Sequence, residues 1–205
     1  SGGFQRAGEA VRITARLTEV GTETIVHTVK IDGRFAQIFD LQDRVVRELA
    51  SALRPGRDEA AQVPDETHVI EAYEAFSKGV LNVRVESYEA LDRGVYFFER
   101  AVSVDPGYAR AHLELGSAWA TKAQYLGIPE LHGRALGSFR QALELRPGLV
   151  RAWREMGSVL VSLGRVDEGL ESIRRALELD GEDPGALGSL GRALFVGRAQ
   201  FREAA

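Results

Sequence analysis

The sequence predicts a mainly α protein: a solenoid of about three and a half helix–turn–helix repeats, preceded by a small β-β-β-α segment. Three observations predict it. The phrases YFFERAVSVDPG, GSFRQALELRPG and ESIRRALELDGE recur in the same internal order. A glycine falls in the middle of the helical stretch before each, at Gly79, Gly116 and Gly157, and again at Gly191. The alternation of apolar and polar residues that marks a strand is confined to the chain before Leu53.

Residues 1–53 form the first region. In AVRITARLTEV, Val11, Ile13, Ala15 and Leu17 alternate with Arg12, Thr14, Arg16 and Thr18, the period of a half-buried strand. Gly21-Thr22 supplies turn chemistry, and Ile25, Val26 and Val29 form a second strand in GTETIVHTVKID. GGFQRAG is a third, shorter strand, and Asp32-Gly33 is expected to end the strand before it. Phe35, Ile38, Phe39, Leu41, Val45, Val46, Leu49 and Leu53 then recur at helical spacing. Residues 54–66, with two prolines, a glycine, many charges and little to bury, read as a linker.

Residues 67–205 hold the repeats, at about 67–106, 107–147, 148–181 and a truncated 182–205. Each phrase is an amphipathic helix with a small residue at Ala101, Ala142 or Ala176, and each ends at Pro106, Pro147 or Gly181, which cannot continue a helix. Pro106 to Pro147 is 41 residues and Pro147 to Gly181 is 34. A mid-helix glycine costs about 1 kcal/mol relative to alanine. Its recurrence at one place per repeat implies two helices crossing with no room for a side chain, and Gly157 is expected to face Ala176.

This pattern resembles the tetratricopeptide repeat, a helix–turn–helix unit of 34 residues. The resemblance rests most firmly on Trp153, Gly157, Gly169, Ile173 and Ala176, extends to Leu115, Gly116, Trp119, Ala135, Phe139, Ala142 and Pro147, and is looser at Phe76, Gly79, Gly94, Phe98, Ala101 and Pro106. It covers about two-thirds of the chain. The second repeat carries seven extra residues in TKAQYLGIPELHG, expected to project between its two helices, and the first a smaller excess around NVRVES. The fourth stops at FREAA, where its second helix should begin; together with Ser1 as first residue and Met156 as sole methionine, this suggests a piece of a longer protein. In the first region, VRITARL and IFDLQDRVVREL resemble the second half of the α/β domain typified by the amino-terminal domain of the TolB translocation protein. That resemblance implies a bacterial signalling or envelope protein, and a sheet edge able to pair with another chain.

Composition and motifs exclude most chemistry. The chain has 44% hydrophobic and 27% charged residues and a net charge of −4, with no chain-wide basic footprint for nucleic acid. There is no cysteine, so disulfides and thiolate catalysis are out. No run of about twenty apolar residues is present to insert in a membrane. No phosphate-binding loop occurs; the glycine-rich GALGSLG follows Asp183-Pro184, a helix start and not a strand. His27, His68, His112 and His132 show no metal-ligand spacing, and Ser138 and Ser158 lie in helices without a nucleophile elbow. Phe76, Phe98, Trp119, Phe139 and Trp153 sit at core positions. No enzyme, cofactor or metal is expected.

The expected function is protein–protein interaction or scaffolding, with a protein segment docked in the concave groove lined by the first helix of each pair. Tyr73, Phe76, Arg110, Leu113, Ser117, Arg151, Arg154, Ser158 and Arg192 are placed on that face. Four arginines there suit an acidic peptide through bidentate hydrogen bonds; the alternative is that they are solvated and paired with nearby glutamates. The asparagines that chaperone-tail clamps use beside their cations are missing, since the sole asparagine, Asn82, falls outside the groove. The rival function is a homo-oligomerisation or structural module assembling through the exposed sheet edge.

Overall fold

The computed structural model describes residues 1–19, 24–53, 67–85 and 87–203. The expected turn at Gly21-Thr22, the linker 54–66 and the side chains of Phe39 and Leu53 lie outside what it describes. The backbone divides into two compact units, Ser1–His68 and Val69–Ala205.

In the first unit β1 (Gly2–Ala7), β2 (Ala10–Thr18) and β3 (Ile25–Arg34) form an antiparallel meander in the order β1-β2-β3. The β1-β2 hairpin turns at Gly8, whose φ of 60° is a conformation that glycine adopts without strain. Val11, Val29 and Ile31 point to one face and are buried there with Leu41 of α1 (Ile38–Leu53). The other face is wet: Arg12 and Asp32, paired across the strands, make a bidentate ion pair at 2.6 and 2.9 Å. The hydrogen bonds from Arg12 hold the Asp32 carboxyl below the usual carboxylate range. Gly33 does not end its strand as expected. β3 continues through it to Arg34, and a Cβ on Gly33 would lie 2.5 Å from Leu41 Cδ2. The glycine makes room for the helix and does not punctuate the chain.

The second unit is a run of helices: α2 (Ile70–Val83), α3 (Tyr88–Val104), α4 (Ala109–Leu126), α5 (Leu131–Leu145), α6 (Val150–Ser162), α7 (Val166–Leu179) and α8 (Pro184–Glu203). They pack as antiparallel pairs α2/α3, α4/α5 and α6/α7, with α8 against α6 and α7. Phe98, Phe139 and Ile173, with Ala101, Ala142 and Ala176, are fully buried. Gly157 does not face Ala176. A Cβ there would meet Ile173 Cγ1 at 2.7 Å and the Gly169 carbonyl oxygen at 2.8 Å, so the contact lies one turn earlier on α7. The seams between repeats also repeat. The Trp153 indole donates to the Pro147 carbonyl at 2.8 Å, and the ring of His112, its counterpart one repeat earlier, lies 3.0 Å from the Pro106 carbonyl.

The excess of the second repeat is helix, not loop. α4 has 18 residues where α6 has 13, and it ends at Gly127 with φ 64°, a left-handed cap. Tyr125, Leu126 and Ile128 on this extension are exposed, while Leu131 packs on the core. α8 runs 20 residues from Pro184 to Glu203, and no second helix of that repeat follows among the described residues.

Candidate functional site

The first helices touch one another in the order α2, α4, α6, α8 and so form a continuous row along the helical unit.

That face carries a ladder of charged and hydroxyl groups joining successive repeats. Arg151 on α6 reaches back to Glu114 on α4 with two hydrogen bonds, at 2.6 and 3.2 Å. Its Nε donates to Glu155 at 2.5 Å and its Nη2 to the Ser117 hydroxyl at 3.2 Å. The Ser117 hydroxyl lies within donating reach of both the Glu155 carboxylate and the Leu113 carbonyl. Arg154, one turn on, contacts Glu155 at 3.6 Å and donates to Asp183 at 3.3 Å. Asp183 also caps α8, accepting from the Ala186 amide at 2.6 Å. Ser158 and Ser189 complete the ladder with their hydroxyls 3.1 Å apart.

The electrostatics follow from that geometry. Burial works against the charge on Arg151, but hydrogen bonds and charges from Glu114 and Glu155 outweigh it, so its pKa stands above the ordinary arginine value. The guanidinium is permanently charged, and its hydrogen-bonding capacity is largely taken up within the protein. The arrangement fixes side chains in place and offers polar groups of both signs. Among the described residues, no group of three or more His, Asp or Glu side chains comes together as metal ligands, and no helix is long and apolar enough to cross a membrane.

Of the nine residues placed on the groove from sequence, Arg151, Arg154, Ser117 and Ser158 come together in this ladder. Arg192 is exposed on α8 and makes no ion pair among the described residues. Arg110 is exposed on α4, its guanidinium 5.3 Å from the centre of the Phe76 ring. Tyr73 is partly exposed at the margin of α2. Phe76 and Leu113 are not groove surface: both are buried. The Phe76 ring lies under the next repeat, 5.0 Å from the ring of Tyr108, because its position on the first helix points into the seam between repeats. Asn82 bonds Arg93 and the Lys78 carbonyl, at the α2/α3 junction.

Sequence reasoning missed Glu114, Glu155, Asp183 and Ser189. A signal was present for two of them. With the repeats aligned on Gly116 and Gly157, Glu114 and Glu155 fall at one register, two residues before the glycine. The Arg151–Glu155 pair is also visible as an i, i+4 spacing.

The tetratricopeptide repeat family model matches residues 130–184 and 154–203. No curated protein matches the chain significantly. Among solved structures, the tetratricopeptide domain of Sgt2 from Aspergillus fumigatus is 15% identical, with a TM-score of 0.57, covering 67% of this chain and 85% of that one. The TPR2B domain of yeast Sti1, solved as a complex with an Hsp70 peptide, is 17% identical, with a TM-score of 0.53, covering 64% of this chain and 99% of that one. An O-GlcNAc transferase of Thermobaculum terrenum is 25% identical, with a TM-score of 0.53, covering 61% of this chain and only 22% of that one. Residues 130–203 therefore carry the sequence pattern of tetratricopeptide repeats, and α2 to α8 form a tetratricopeptide-like helical solenoid.

Proposed function

We propose that the helical unit is a non-enzymatic protein-interaction module that docks a segment of another protein along the row α2, α4, α6 and α8. The ladder Glu114–Arg151–Glu155–Arg154–Asp183 carries this reading. It spends charged side chains on holding one face of three successive repeats in a fixed array, and a preorganised face loses little freedom when it binds. The Hsp70-peptide complex of the Sti1 domain supports peptide docking as a use of this fold. Because Arg151 and Arg154 already have carboxylate partners, a docking segment meets both signs of charge. Arg192 supplies positive charge that the ladder does not use, so acidic groups of the segment belong at the α8 end.

A second reading is assembly through the sheet of the first unit. All six residues of β1 are exposed, and among the described residues no strand pairs with its outer edge. By its resemblance to the TolB-type domain, that unit would place the chain in a larger bacterial signalling or envelope protein.

Peptides selected from a random display library against the 205-residue chain test the first reading. Amide hydrogen exchange with a bound peptide should slow in α4 and α6. Protection confined to α5 and α7, or to β1, would contradict it.

A further inference from the structure

Gly185 stands where the other first helices carry a large side chain. Six residues before the mid-helix glycine of each come Tyr73, Arg110 and Arg151; in α8 the same count from Gly191 gives Gly185. It lies in the first turn of α8 without a positive φ, so the backbone does not ask for glycine there. What it admits is a side chain from the preceding repeat. A Cβ on Gly185 would fall 2.8 Å from Arg154 Cζ and 3.0 Å from Arg154 Cδ, with Nη1 nearer still.

That contact has a direction. Cδ, Cζ and Nη1 make one edge of the arginine, and this edge lies on α8, where Nη1 also donates to Asp183 at 3.3 Å. The opposite edge, Nε and Nη2, is the fork that grips a carboxylate with two parallel hydrogen bonds. It makes no hydrogen bond among the described residues. Nη2 stands 3.6 Å from Glu155, beyond bonding range, and that carboxylate is already held by Arg151 and Ser117. Arg151 differs, since its Nε, Nη1 and Nη2 are all engaged. Arg154 is thus tied down by one edge and open along the other.

We infer that Gly185 is a positioning residue of the docking face: it lets Arg154 lie along the start of α8 with the Nε/Nη2 fork turned away from that helix, ready to take a carboxylate of the docked segment. The inference rests on the docking reading above and adds how an acidic group is received at the α8 end. An arginine free to swing loses side-chain freedom when it binds; one laid on Gly185 and tied to Asp183 has already lost it. Asp183 is itself fixed, because it also caps α8 through the Ala186 amide. A side chain at 185 displaces the flexible end of an arginine and no backbone, so the fork loses its direction while the fold is kept.

Two measurements on the 205-residue chain test this. The first needs no ligand. Thermal midpoints of wild type, Gly185→Ala, Arg154→Ala and the double variant should be non-additive by about 2 °C or more, because the added methyl group costs only where Arg154 lies over it. Additive midpoints would show that Gly185 does not hold Arg154 and would overturn the inference. The second is the fluorescence anisotropy of labelled hexaglutamate at low salt. Gly185→Ala and Arg154→Lys, which keeps the charge and loses the fork, should each weaken binding by about fivefold or more, and the two together no further. Equal binding by wild type and Gly185→Ala would overturn the positioning role. Hexaglutamate ignored by every chain would overturn the carboxylate role, while docking of library peptides would stand or fall on its own exchange experiment.

Discussion

Gly157 and Ile173 are in direct contact across the α6/α7 crossing: a Cβ on the glycine would lie 2.7 Å from Ile173 Cγ1 and 2.8 Å from the backbone of Gly169. The near neighbours are a fully buried side chain and a carbonyl oxygen, and neither can move aside cheaply. Gly157→Leu should therefore destabilise the protein by about 1–3 kcal/mol or more through overpacking. Thermal unfolding checks it, and an unchanged or higher midpoint would show that the crossing is drawn in the wrong register.

Two other glycines should respond to alanine with opposite sign. Gly137, inside α5, has nothing within 4 Å of a Cβ, so Gly137→Ala should stabilise by about 0.5–1 kcal/mol through helix propensity. Gly127 caps α4 at φ 64°, where an alanine pays for a left-handed backbone, so Gly127→Ala should cost about 1–2 kcal/mol. Chemical denaturation of the two single variants reads both, and a shared sign would refute the assigned backbone at one of them.

The bidentate contact between Arg151 and Glu114 joins α4 to α6, and Glu114 is the more covered partner, with 16% side-chain exposure against 43%. A double-mutant cycle with Arg151→Gln and Glu114→Gln should give a coupling of about 1 kcal/mol, at the top of the range for exposed pairs. It should shrink in high salt, since Arg151 is partly exposed. A coupling near zero at low salt would mean that the ladder does not hold the repeats together.

The fold was legible in the sequence because its determinants are local and repeated. The helix-ending residues Pro106, Pro147 and Gly181 and the mid-helix glycines repeat often enough to be read without a structure. The alternation in β2 likewise announces a half-buried strand. Gly33 was misread because a glycine that ends a strand and one that admits a packed Leu41 look the same in one dimension. Length misled at the second repeat for a related reason: nothing in TKAQYLGIPELHG distinguishes a loop from extra turns of α4 until Gly127 caps it. The groove was legible only as a face. Arginine positions follow from helical register, but their partners Glu114 and Asp183 come from neighbouring repeats. Phe76 and Leu113 share the register of Arg154, three residues before the mid-helix glycine, yet are buried.

The docking surface is tested most directly by the affinity of a library-selected peptide for three chains: wild type, Arg151→Gln/Arg192→Gln, and Glu171→Lys. The first variant alters the row of first helices; the second alters α7, where Glu171 is 80% exposed. Fluorescence anisotropy should show affinity reduced by about tenfold or more in the groove variant, the loss of roughly 1.4 kcal/mol that one charge-assisted contact supplies. The α7 variant should bind as the wild type does, and thermal midpoints will show that all three chains are folded. Equal affinity for wild type and the groove variant, with binding lost in Glu171→Lys, would contradict the account and move the docking surface to the second helices.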